Sequence, residues 1–445
     1  MSDKNSKSLK FRVKNGARTA LDRPSAFFLI DAVNRLASAA GRSLGRLSNS
    51  RTSCSESGRV VILAPPGGGN IGDQALVESA IWNADGPVTL IVRARTDFEL
   101  PEWLASRDLR MLVLPDLVYG VGPHHLRDMY MLGRYATECS RVMIVGADIM
   151  DGNYNLVASL NRWSVANLFG RLPISTSVLG FSWSESARPS CVRAARTVGT
   201  RCDLWLRDPV SLSRIAAVGV GGANLCADIV FAHPAPSLPA SFRVVPEHLE
   251  EFIAANPRYV VVNMSGLVGG DDRLLGHYVR VVEQLRVAGI GVILLPHVVR
   301  STNSDNVYLQ ELAARFDDPG ITLVHELLTP SQIFEVCRLG LAVLTGRMHL
   351  AVLASLSGTP SSTLSTQGKV AGLYEHLRSP EGAIEVHSDV SVAFLSRIEL
   401  AQNGTGRIDD ELRRRLKELA MKSFAMPPLR LDTPEPVDSF RERAL

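Results

Sequence analysis

Arg347 and His349 stand two residues apart in Gly346-Arg347-Met348-His349, where an apolar strand, Leu341 to Thr345, runs into an apolar helix through Leu350. There both side chains fall in the first helical turn, where unpaired backbone N–H groups and the positive end of the helix dipole favour an anion. A permanent guanidinium and a titratable imidazole beside such a place suit binding of, and proton transfer to, a phosphorylated or carboxylated substrate. A solvent-facing arginine and a satisfied core histidine is the plainer account of any single Arg-x-His, so the weight falls on what other strand ends carry.

Pro66-Gly67-Gly68-Gly69-Asn70-Ile71-Gly72-Asp73 follows the first apolar strand and opens a helix, so it fits Gly-x-Gly-x-x-Gly in the context that a dinucleotide site requires. Asp73 at the helix start would repel a pyrophosphate, and the next strand ends in Arg93 and Arg95 without the acidic ribose ligand. Arg93 facing a 2′-phosphate keeps a phosphorylated dinucleotide open. The stronger expectation is a loop whose Gly68 and Gly69 let backbone approach a substrate closely, with Asn70 and Asp73 as polar groups for sugar hydroxyls. Gly146-Ala147-Asp148-Ile149-Met150-Asp151-Gly152 ends another strand with two carboxylates, Asp148 and Asp151, suited to a general base, a metal site or ordinary turn chemistry. Asp208 before Pro209 reads as a helix cap, which leaves Arg207 as an anion ligand, and Asp228 closes the last short strand of that half. In the second half Leu295-Pro296-His297 ends a strand, and Thr366-Gln367-Gly368-Lys369 precedes a helix after the strand that follows Arg347. His297, Arg347, His349 and Lys369 are therefore expected on one rim.

Positioning such groups takes a scaffold, and the pattern from Arg59 onward supplies one. Apolar runs at Val60 to Ala64, Val88 to Val92, Met111 to Leu114, Val142 to Val145 and Ile174 to Leu179 alternate with helical stretches such as Gln74 to Trp82 and Leu156 to Phe169. A second series follows the Pro-rich break His233 to Pro246, with strands at Tyr259 to Asn263, Val292 to Pro296, Ile321 to Val324, Leu341 to Thr345 and Ser361 to Leu364. Such alternation predicts α/β architecture: two doubly wound, Rossmann-like domains with parallel sheets facing a cleft, at residues 59–235 and 236–445. At 445 residues the chain is long enough for two cores. Residues 1–58 read as a basic, Ser-rich extension with an amphipathic helix, its apolar stripe Leu29, Val33, Leu36, Ala40, Leu44 and Leu47 packing on the body of the protein or on a second copy in a homo-oligomer. Peripheral membrane contact through Arg35, Arg42 and Arg46 is the second reading.

A balance of 48 basic against 45 acidic residues gives no general nucleic-acid footprint. Cys54, Cys139, Cys191, Cys202, Cys226 and Cys337 form no Cys-x-x-Cys and fall mostly in apolar segments, as reduced thiols of a cytoplasmic protein would, rather than a disulfide framework or zinc site.

In this order, Gly67 to Asp73, Arg207-Asp208, Asp228, Leu295-Pro296-His297, Gly346-Arg347-Met348-His349 and the Thr359-Pro360 to Lys369 stretch resemble the polysaccharide pyruvyl transferase family, over roughly Val60 to Leu377. The resemblance implies a GT-B-like architecture and a cofactor-free transfer of the enolpyruvyl carbons of phosphoenolpyruvate onto two hydroxyls of a sugar, oligosaccharide or lipid-linked glycan as a cyclic ketal. It implies that Arg207 and Arg347 hold the phosphate and carboxylate, and that His349 is the catalytic acid. Asp73 or the Asp148/Asp151 turn is the candidate base, and His297 either supports His349 or replaces it. The Gly146 to Gly152 stretch departs from the Gly-rich form common at that strand end. A nucleotide-sugar glycosyltransferase and a non-catalytic glycan-binding protein remain alternatives.

Overall fold

The computed structural model describes residues 20–49, 58–266, 271–301, 304–365, 369–403 and 406–425. Cys54, the lysines before Thr19, and Thr366, Gln367 and Gly368 lie outside the described residues. Helix α1 (Pro24–Asn49) precedes β1 (Arg59–Leu63), α2 (Ile71–Trp82), β2 (Val88–Val92), β3 (Leu109–Val113), α3 (Pro123–Tyr135), β4 (Cys139–Ala147), α4 (Leu156–Gly170), β5 (Ser175–Phe181), α5 (Pro189–Val198), β6 (Asp203–Leu206), α6 (Pro209–Ala217) and β7 (Ala223–Leu225). After 3-10 turns at Ile229–Ala232, Ala235–Ser237 and Ala240–Phe242 come α7 (Glu247–Ala255), β8 (Tyr259–Val262), α8 (Asp272–Val287), β9 (Gly291–Leu294), α9 (Asp305–Ala313), β10 (Ile321–Leu323) and α10 (Pro330–Leu339). The series ends with β11 (Ala342–Thr345), α11 (Met348–Leu356), β12 (Ser361–Ser365), α12 (Lys369–His376), β13 (Ala383–Glu385), α13 (Val390–Gln402) and α14 (Asp410–Met421).

The strands form two sheets, ordered β3-β2-β1-β4-β5-β6-β7 and β10-β9-β8-β11-β12-β13. Every ladder within them is parallel. Helices cover both faces, so central strands such as Arg59–Leu63 and Tyr259–Val262 are buried along their whole length. In each sheet the winding reverses beside the first strand, between β1 and β4 and between β8 and β11. A crevice opens at such reversals, outside the carboxyl ends of the strands. Side-chain caps fix the helix starts there: Asn70 accepts from Gly72 N, Asn155 from Ala158 N, and Asp208 from Ser211 N.

One apolar core runs through both sheets, from Val60, Ile62 and Leu90 to Val261, Val343 and Leu353. The Pro-rich segment contains no strand and is pinned at both sides: buried His233 Nε2 meets Glu78 Oε2 of α2 at 2.7 Å, and Gln332 Nε2 of α10 donates to Val244 O at 2.9 Å. Helix α14 returns from the second series to the first. Its Leu416 and Ala420 enter the shared core, and buried Arg141 of β4 donates to Phe424 O (2.7 Å) and Ala425 O (3.1 Å) just beyond it. The described cysteines are free thiols, all buried except half-buried Cys139.

Helix α1 packs on α3, α4 and α5, but not by the face that its apolar stripe predicts. The buried side carries Phe27, Asp31, Asn34, Ser38 and Gly41. Asp31 accepts from Ser164 Oγ and Asn167 Nδ2, Asn34 donates to Ser164 Oγ, and Asn34 Oδ1 lies 2.8 Å from His125 Nε2. Gly41 lies against Tyr130 O and Gly133 against Ser38 O, so side chains at either position would force the helices apart. Small size and satisfied hydrogen bonds, rather than apolarity, select this face.

Candidate active site

The loops after β1 and β4 meet those after β9 and β11 around a cleft of about 400 Å³, lined among others by Asn70, Asp73, Asp148, His297, Arg300, Arg347, His349 and Lys369. The glycine loop approaches the chain itself at close range. Val299 N donates to Gly69 O (2.9 Å), Ile71 N donates to His297 O (3.1 Å), and Arg300 donates to Gly67 O (2.6 Å) and Gly68 O (2.5 Å). A Cβ on Gly69, whose φ is +67°, would overlap Val299 O. The freedom of Gly69 thus serves the seam between the two halves, whereas Gly67 packs on Phe98 and Asp97 of its own half. Gly72 packs directly under the His349 ring, where a Cβ would collide with it.

Arg207 and Arg347 reach the region from opposite halves, but only Arg347 lines the cleft. Arg207, with 2% of its side chain exposed, lies behind the wall: Nε donates to Ser182 Oγ (2.8 Å), Nη1 to Asp228 Oδ2 (3.2 Å) and Nη2 to Asp148. Both carboxylates hold cleft residues in turn. Asp148 accepts from Lys369 Nζ, and Asp228 Oδ2 sits 3.4 Å from His349 Nε2, an ion-pair distance without well-formed hydrogen-bond geometry. Burial pushes the Asp148 carboxyl up, but Arg207 and Lys369 outweigh it and hold the group below the usual range. Burial likewise opposes ionised Asp228, and His349 and Arg207 overcome it. Asp148 follows Ala147, whose φ of +46° is the left-handed conformation that a glycine-rich form would adopt without strain. Asp151 accepts from Asn153 N and Nδ2 and faces a second cavity of about 350 Å³ with Ser182, Trp183, Ser184 and Arg214, which the Asp148–Lys369 pair divides from the cleft.

Arg347, at the N-cap of α11, donates to Asp305 Oδ1 from Nη2 (2.6 Å) and Nε (3.2 Å). Fully buried Asp305 also accepts from Gly266 N, His297 N, Val298 N and Asn263 Nδ2, so one carboxylate locks the loops after β8, β9 and β11 together. Neither Asp305 nor Arg300 stands out in the sequence. Arg300 carries one available signal, a basic residue three positions after His297. His297 is 1% exposed, and neither ring nitrogen has a partner among the described residues. Burial, then the His349 and Arg347 charges, keep it neutral, well below the ordinary 6.5. Asp73 is shifted the other way. Burial raises its carboxyl despite the opposing Arg300, at 3.4 Å, and His349. Among the described residues no three His, Cys, Asp or Glu side chains cluster as metal ligands would.

The arrangement therefore offers three cations, an imidazole paired with a carboxylate, and a carboxyl, Asp73, that burial raises above its ordinary value. The model of a known family, described as polysaccharide pyruvyl transferase, matches residues 70–368. The chain belongs to that family. The matched span takes in the cleft loops of both halves, from Asn70 to the residue before Lys369. No curated protein matches by sequence. Among solved structures, the chain is similar to UDP-GlcNAc 2-epimerase from Methanocaldococcus jannaschii (TM-score 0.55, 11% identity, covering 82% of this chain and 99% of that one). It is also similar to UDP-GlcNAc 2-epimerase from Neisseria meningitidis (0.53, 7%, 82% and 98%). Anabaena Alr3699/HepE in complex with UDP-glucose matches at 0.52 and 10%, covering 83% and 96%. At these identities the likeness establishes the GT-B-like fold that this transferase family member shares with them.

Proposed function

We propose that this protein transfers the enolpyruvyl group of phosphoenolpyruvate to a sugar of a polysaccharide or glycan, forming a pyruvate ketal and releasing phosphate. The observation that carries the reading is His349, stacked on Gly72 and paired with Asp228, in a cleft that also presents Arg347, Arg300 and Lys369. The donor bears a phosphate and a carboxylate, and ordered cations stabilise both without proton exchange. Arg347 and Lys369 take these groups, and Arg207 acts through Asp148 and Asp228, which it positions. His349 delivers a proton to the methylene carbon, and the carbon that carries the phosphate ester becomes electrophilic. One sugar hydroxyl adds there and gives its proton to Asp73, whose raised affinity for protons suits a base. The second hydroxyl then displaces phosphate and closes the ketal, its proton returning to His349 while the departing phosphate carries off the one held by Asp73, so one donor and two hydroxyls yield a ketal and inorganic phosphate. Neutral His297 offers an acceptor and a donor to the bound substrate rather than a proton to the reaction.

Incubation with phosphoenolpyruvate and a pool of cell-surface glycans should release phosphate only when both are present, with glycan mass rising by the pyruvate ketal. Release of nucleotide from a UDP-sugar, with phosphoenolpyruvate inert, would replace this reading with glycosyl transfer.

A further inference from the structure

The outer face of α1 is apolar and open: Leu29 is 70% and Leu36 74% exposed, with Val33 and Leu44 also exposed and Phe28 at its edge under the Arg193 guanidinium, 4.9 Å from the ring centre. These side chains repeat at helical spacing on one long helix, while the polar side of the same helix is the one docked on the protein. A helix that solvent alone surrounds would place its leucines the other way round. Charge identifies the occupant. Residues 1–58 hold eleven Lys and Arg against four Asp and Glu, whereas the whole chain holds 48 against 45, so the remainder is net acidic and the positive charge is concentrated at this end. Arg35 and Arg42 lie along one border between this ridge and the docked side, with Arg35 Nε anchored on Asp31 (2.9 Å) and Arg42 Nη1 on Ser38 (3.1 Å). An apolar ridge edged by arginines and preceded by a basic segment has the chemistry of a helix lying in the plane of an anionic lipid surface. No helix among the described residues is long and apolar enough to cross a membrane.

We infer that α1 docks this protein on an anionic bilayer through Leu29, Val33, Leu36 and Leu44. A second copy of the chain would also cover the apolar ridge, but it would bring an equally basic end against this one. The position of the helix joins the surface to the site. Asp22, two residues before the helix, lies 3.4 Å from Arg188, whose backbone N–H bonds Asp151 O in the wall of the second cavity (2.9 Å). A lipid-carried acceptor would thus meet that wall at the surface where the protein is held. This corollary rests on the transferase reading, and the membrane contact does not.

Full-length protein should co-sediment with phosphatidylcholine vesicles containing phosphatidylglycerol, much less with phosphatidylcholine alone, and less again as salt screens the attraction. Leu29→Glu with Leu36→Glu should lower the bound fraction about tenfold or more while leaving the circular dichroism and thermal transition unchanged. Wild-type protein that stays in the supernatant at low salt, or a double variant that binds as well as wild type, would overturn the inference. So would a wild-type dimer that ignores vesicles and that the double substitution dissociates, which would make the ridge a contact between copies.

Discussion

His297 shows how burial decides a residue's chemistry. Its ring is enclosed beside two positive groups and stays neutral, while the unfolded chain protonates it near 6.5. Below that pH the unfolded state binds a proton that the folded state refuses, so folding stability must fall as pH drops from about 6.5. His297→Gln should remove that share of the slope. Urea unfolding of both proteins across this range checks it, and an unchanged slope would mean that His297 protonates equally in the two states. The histidines were legible in the sequence as candidates because both follow apolar strands, but their difference was not. It arises from neighbours distant in the chain, such as Asp228 at 3.4 Å from His349.

At the scale of elements, Asp305 is the group on which the second half's strand ends depend. It sits at the start of α9 and accepts from three backbone amides, Asn263 and Arg347. Removing one member of a buried ion pair costs about 3–5 kcal/mol, so Asp305→Ala should be markedly less stable in denaturant titration. Asp305→Asn should fold better yet raise the KM for phosphoenolpyruvate, because Arg347 loses its charged anchor. A normal KM in a folded Asp305→Asn would show that Arg347 needs no such support. The strand and helix alternation was readable because buried parallel strands leave continuous apolar runs. Short edge strands such as Ala223–Leu225 lack that signature. The stripe on α1 was readable as well, but periodicity locates an apolar face without saying what covers it. Here Gly41, Ser38 and Asn34 made the better contact with the protein.

Across the whole molecule, the site exists only where the halves are joined, since Asp73, Asp148 and Asp228 come from one and His297, Arg300, Arg347, His349 and Lys369 from the other. Gly69 tests that seam. Both Gly69 and Gly289 have a φ of +67°, but a Cβ meets Val299 O at Gly69 and nothing within 4 Å at Gly289. Gly289→Ala should cost about 1–2 kcal/mol of backbone strain. Gly69→Ala should cost more and depress activity as well. Equal thermal shifts and equal activity in the two variants would show that the glycine loop does not hold the cleft together.

Whether His349 protonates phosphoenolpyruvate is read out by single-turnover kinetics in deuterated water. Wild-type protein should form a ketal whose methyl group carries one solvent deuterium. His349→Gln should still bind phosphoenolpyruvate while turning over about 10²–10⁴-fold more slowly. A His349→Gln protein that forms the deuterated ketal at the wild-type rate would contradict the account.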